Sequence, residues 1–169
     1  MPLHLKSTDV SKQLEGAASV LIVSCPICPP ISIAMQQNSP CLEFFKHGIN
    51  TPAFEDHIDS IREPLKQHGV RTGTYRSFLP TPTMCLWTEG QRRRLRKRAQ
   101  NYEAVIVLGC KTARYTVEEA LEGMNCKVVQ AMWTVGMTNA KLSFQFPMTI
   151  TLEDKVRINK AGKVEKMAS

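Results

Sequence analysis

The sequence predicts an α/β domain in which a mostly parallel sheet is followed by a C-terminal β-hairpin. Two observations carry this. Short β-branched apolar runs alternate with segments that bear helix caps, the order that places helices on the faces of a parallel sheet. Beyond residue 140 the rhythm changes, and apolar side chains fall at every second position, as on one face of a strand.

The elements follow in order. Residues 19–24, SVLIVS, form a run suited to a buried central strand. A proline-rich loop comes next, and 41–47 then reads as a short helix stopped by Gly48. Thr51 is a hydroxyl cap ahead of Pro52, and the helix it opens runs toward His68 and is closed by Gly69. Pro64 is expected to kink or split that helix. Residues 70–79 read as the second strand and LPTPTMC as a loop. Thr88 and Gln91 match a capping box that opens an arginine-rich helix. Residues 102–109 are the clearest strand, Thr116 and Glu119 match a second capping box, and Gly123 ends its helix. Residues 126–133 give the fourth strand, with Met132, Trp133 and Met137 read as core. Phe144, Phe146, Met148, Ile150 and Leu152 alternate along one strand, and a turn at 152–155 completes a hairpin over about 140–159. Residues 1–159 are thus read as a single domain of flavodoxin- or Rossmann-like layering, and 160–169 as a polar, frayed tail.

At 169 residues the chain can bury a core without disulfide staples. No apolar run approaches the roughly 18 residues of a membrane-spanning helix. The N-terminus lacks the basic-then-apolar order of a signal peptide, so the chain reads as soluble and cytoplasmic, with no membrane partner. Much of the net charge of +7 comes from Arg92, Arg93, Arg94, Arg96, Lys97 and Arg98. No aromatic residue is interleaved there to stack on bases, which argues against nucleic acid. The run reads instead as a solvated helix face or a dock for an acidic partner.

Six cysteines in a reducing compartment point to metal or redox chemistry rather than staples. Open parallel sheets bind ligands beyond the carboxyl ends of their strands. Cys25 directly follows the first strand and Cys28 lies three residues on; Cys41 sits where the next helix begins. Cys85 is in the loop after the second strand, and Cys110 follows the third. Only Cys126 belongs to the opposite edge. Four such thiolates suit a [4Fe–4S] cluster or a zinc ion. The run Cys25-Pro26-Ile27-Cys28 also matches a dithiol motif, but Pro29 and Pro30 stand where a thioredoxin-like site continues into a helix. His47 and His68 fall in the last turns of helices and complement the dipole, while His4 and His57 carry no signal. Glu89, Glu118 and Glu119 read as helix-start residues. Gly109-Cys110-Lys111-Thr112 lacks the glycine spacing of a phosphate loop, and no Gly-x-Gly-x-x-Gly is present. The motif loops hold no acid–base pair, so the chain is not expected to be catalytic alone.

VLIVSCPIC, Cys85, EAVIVLGC with TVEEAL, and KVVQAMWTVGMTN together resemble one small domain. It is the zinc- or iron–sulfur-binding C-terminal domain of anaerobic methylenetetrahydrofolate reductases, found fused or as a separate subunit. The similarity is one of pattern over roughly residues 18–140. It implies that Cys25 and Cys28 match the first two cysteines of a Cys-x-x-Cys-x-x-x-Cys motif, Cys85 a middle one and Cys110 the one after the late strand. Ser32 stands where the motif has its third cysteine, so that either Cys41 replaces it or the site has changed. The resemblance further implies a small accessory subunit carrying [4Fe–4S], or zinc in an interaction module without redox chemistry. Its partner would be a larger oxidoreductase or methyltransferase-type subunit of one-carbon metabolism.

Overall fold

Strands and helices alternate along the chain. They are β1 (Leu3–Ser7), β2 (Ser19–Ser24), α1 (Cys28–Gln36), β3 (Leu42–Glu43), α2 (Phe44–His47), α3 (Pro52–Gln67) and β4 (Arg71–Tyr75). Then come α4 (Glu89–Ala99), β5 (Ala104–Leu108), α5 (Lys111–Ala120), β6 (Lys127–Gln130), β7 (Met132–Gln145), β8 (Thr149–Asn159) and β9 (Val164–Lys166). The structure is a computed structural model that describes residues 2–167. The chain is α/β, and the single domain expected over 1–159 divides into two units. A parallel unit takes Ser7–Ile27 and Ile61–Trp133; a hairpin unit takes the N-terminal residues through Lys6, Cys28–Ser60 and the chain from Thr134. Among the described residues no helix is long and apolar enough to cross a membrane.

In the parallel unit, four strands pair in parallel in the order β4-β2-β5-β6. β2 and β5 are buried at every position, as the β-branched composition of a central strand requires. Leu21, Val23, Val105 and Val107 pack with Met84, Trp87, Leu95, Ala99, Val117 and Leu121 in one core. The capping box of α4 forms as the sequence dictates: Gln91 N donates to Thr88 Oγ1 at 3.4 Å, and Thr88 N donates to Gln91 Oε1 at 3.2 Å. Gln91 is itself buried, and its Nε2 donates to Thr81 O at 2.7 Å and Ser77 Oγ at 3.0 Å, fastening the preceding loop to the helix. The second expected capping box does not form. α5 starts at Lys111, so Thr116 lies inside the helix and its hydroxyl donates back to Thr112 O at 3.1 Å. Met132 is core, whereas Trp133 and Met137 are exposed. Successive side chains of a strand point to opposite faces, which separates Met132 from Trp133.

In the hairpin unit, the sheet order is β1-β7-β8-β3, with β9 also on β8. β8 pairs antiparallel with β7, β3 and β9. The hairpin turns between Gln145 and Thr149, not at 152–155. The 152–155 segment stays inside β8, where the register shifts opposite Asn139 and Lys141 and Asp154 takes a positive φ of 47°. The frayed tail is also corrected: Val164–Lys166 pairs with β8, and residues 168–169 lie outside the described residues. Asn159 makes the turn, its Oδ1 accepting from Ala161 N and Lys163 N, both at 3.0 Å. The expected helix at 41–47 splits, because Leu42 and Glu43 pair with Ile150 and Thr149 and only Phe44–His47 coils. α3 is one helix that contains Pro64 near its end. Thr51 donates its hydroxyl to Cys41 O at 2.8 Å, while its carbonyl accepts from Phe54 N and Glu55 N.

The proline-rich loop expected after β2 is the helix α1. Pro29 and Pro30 occupy its first turn, where an amide hydrogen would have no partner inside the helix, so both are tolerated.

Candidate functional site

The strand order fixes where the parallel unit can carry a site. From β2 the chain reaches β4 on one side and later β5 on the other, so the connections diverge between β2 and β5. Such a switch point leaves a crevice at the carboxyl ends of the two strands. Cys25 leaves β2 there, with its N–H donating to Leu108 O at 3.0 Å and only 7 % of its surface exposed. Cys110 leaves β5 there and is the residue before the first turn of α5. Gly109 lies between β5 and Cys110, where a Cβ would stand 2.6 Å from Ala113 Cβ and 3.7 Å from Cys25 Cβ. Only glycine lets α5 turn back this closely on the strand end.

Two further elements close the edge. Met84–Leu86 forms a 3₁₀ turn packed against α5; Met84 is fully buried and anchors it, and Cys85 and Leu86 face solvent. At the end of β6, Gln130 Nε2 donates to Met132 O at 2.6 Å and Gly109 O at 3.4 Å. Gln130 Oε1 is a buried acceptor with no donor among the described residues. Arg76 Nε donates to Ser24 Oγ at 3.1 Å, which sets a cation at the end of β2.

Three of the predicted ligands, Cys25, Cys85 and Cys110, therefore share one edge of the parallel unit. Cys28 and Cys41 belong to the hairpin unit. Cys28 opens α1. Cys41 is held by its backbone, its N–H donating to Ile150 O at 2.8 Å. Burial pushes the Cys41 thiol up to about 11, so it is protonated at neutral pH. Burial also raises Cys126, which packs against the core of the parallel unit. Ser32 is fully buried; its hydroxyl accepts from Leu5 N at 2.9 Å and has Leu3 O and Cys28 O within 3.0 Å. It ties α1 to β1, a task for a hydroxyl rather than for a thiol ligand.

Among the described residues, no three His, Cys, Asp or Glu side chains are arranged to hold a metal ion. The thiols share an edge without converging on a metal-sized point, so they do not fit a preformed centre. Gln130 and Arg76 carry no signal in the sequence, because their importance depends on strand order. The one legible signal was the glycine directly after the most apolar strand.

Comparison of this chain with protein-family models, with characterised proteins and with solved structures finds no match.

Proposed function

We propose that the chain is a small accessory subunit that carries a cysteine-ligated metal centre, [4Fe–4S] in preference to zinc, for a larger oxidoreductase or methyltransferase-type complex of one-carbon metabolism. The observation that carries the reading is the placement of Cys25 and Cys110 on the two strands flanking the switch point of a flavodoxin-like strand order, with Cys85 on a turn at the same edge. Cys28 enters the ligand set by its sequence position alone, and Cys41 remains the reserve. Because the thiols do not converge as folded, uptake of the metal would itself have to gather them. Metal and sulfide content after anaerobic purification tests this. Stoichiometric iron and sulfide with a brown charge-transfer absorption supports it; colourless protein with one zinc selects the interaction module; neither metal removes the reading.

A second reading is favoured by one observation. The objection to a dithiol motif at Cys25-Pro26-Ile27-Cys28 was that prolines would bar a helix, yet α1 begins at Cys28. A dithiol there would pass two electrons and two protons to a partner disulfide. Metal-free protein in which Cys25→Ser and Cys28→Ser each abolish reduction of a disulfide substrate would establish this second reading.

A further inference from the structure

The six cations of α4 fall in three i,i+4 rows, Arg92 with Arg96, Arg93 with Lys97 and Arg94 with Arg98. Gln91, Leu95 and Ala99 form the buried stripe opposite them. The first row is committed to packing. Arg92 pairs with Glu119 and donates to Trp87 O, and Arg96 donates to Glu122 O at 2.8 Å and Ala120 O at 3.3 Å beyond the end of α5. The other two rows are exposed, and among the described residues none of their four cations is in an ion pair. Arg71 extends the face: its guanidinium lies 5.1 Å from the centroid of the Tyr102 ring, which Arg98 covers at 6.0 Å. The parallel unit holds 14 Lys and Arg against 8 Asp and Glu, so +6 of the chain's +7 resides there. Like charges at i,i+4 destabilise a helix. Among the described residues no ion pair on this face offsets that cost.

We propose that the exposed face of α4 binds the phosphate backbone of double-stranded nucleic acid. Arginine forks match phosphate oxygens in pairs. Cations spread across the outer half of one helix suit a groove with phosphates on both walls, and the ~12 Å major groove admits an α-helix. The missing aromatic residues argue only against single strands, where bases must stack on a bare ring. Tyr102, a ring at this face, is covered by the guanidinium groups of Arg71 and Arg98. This inference stands apart from the metal reading, because α4 contains no cysteine and its test needs no metal.

The test is fluorescence anisotropy of a labelled DNA duplex of ~20 base pairs against the full chain. Four phosphate contacts, each giving a slope near −0.9, predict a log–log salt dependence of about −3.6 and a loss on the order of 100-fold between ~50 and ~200 mM salt. Arg93→Glu with Lys97→Glu should abolish binding. Should that pair unfold by circular dichroism, Arg93→Gln with Lys97→Gln should still fold and lower the slope by about 2. No duplex binding at ~50 mM salt, or binding unchanged by the substitutions, overturns the proposal. Equal or tighter binding of the single strand overturns it too. Equal or tighter binding of poly-L-glutamate does the same in favour of an acidic protein surface.

Discussion

The two units of this chain present different chemistry at their surfaces. The parallel unit packs one face of its sheet against α4 and α5 in an apolar core and carries a large excess of cations. The hairpin unit is nearly neutral in charge, yet it holds nine of the thirteen large apolar side chains exposed among the described residues. Phe44, Phe45 and Ile49 lie on and after α2, whose Phe44 N donates to Met148 O at the hairpin turn, so this apolar surface extends from the hairpin onto α2. A contiguous apolar surface of this kind marks an interaction site more often than chance exposure. A charged face can dissociate and re-form with salt, while an apolar one releases water when covered.

The largest test of the contrast pairs two truncations. Leu95 is fully buried in the parallel unit, and Leu95→Ala should cost about 2–5 kcal/mol through lost burial and the cavity left behind. Phe146 is 99 % exposed at the hairpin turn, and Phe146→Ala should change stability by no more than about 0.5 kcal/mol. Urea unfolding of the two variants measures both. If Phe146→Ala were as destabilising as Leu95→Ala, the turn would belong to a core and the contrast would fail.

What the sequence made legible depended on how local the determinant was. The strand at 19–24 and the α4 capping box rest on adjacent residues, and both appear as read. Misreadings arose where tertiary pairing overrode local preference. Leu42 and Glu43 look helical alone but are captured by β8, and the tail strand exists because Arg157 and Asn159 hold Glu165 across it. Pro29 and Pro30 suggest a loop from the sequence, yet a first helical turn accepts them. At the candidate site, the edge carrying Cys25, Cys85 and Cys110 was legible from strand ends. Their failure to converge, and the task of Ser32 in tying α1 to β1, depended on distances that spacing does not encode.

An acid titration separates the units by a smaller effect. His4 and His57 both lie in the hairpin unit, and both have pKa values below the usual imidazole value. Burial is the leading cause for each, joined at His4 by the Arg157 guanidinium. The fold therefore keeps both neutral, while the unfolded chain takes up protons as pH falls through about 6.5. Stability from these residues is complete above that pH and declines below it, until the folded pKa is also passed. Both tryptophans and all three tyrosines lie in the parallel unit, so fluorescence reads that unit while far-ultraviolet circular dichroism reads both. Acidification should lower the circular-dichroism midpoint more than the fluorescence midpoint, and His4→Gln should narrow the gap. Identical shifts by both probes would show that the units melt together.

The smallest effect leaves stability untouched and concerns the thiols. Cys41, in the hairpin unit, has a pKa near 11 from burial, whereas Cys85 stands exposed on its turn in the parallel unit. The thiolate is the nucleophile, so at about pH 8 Cys41 reacts through roughly one molecule in a thousand. Timed labelling with iodoacetamide, read by peptide mass spectrometry, should modify Cys85 well before Cys41. Raising the pH should speed Cys41 about tenfold per unit until its pKa is reached. A metal that bound Cys41 would have to displace a more tightly held proton than at an ordinary thiol, which weakens Cys41 as a ligand. Cys41→Ser should therefore retain whatever metal the native chain holds, while Cys25→Ser and Cys110→Ser lose it. Labelling of Cys41 as fast as Cys85 would show an accessible thiolate there, and Cys41 would return to the ligand set in place of the residue the motif lacks.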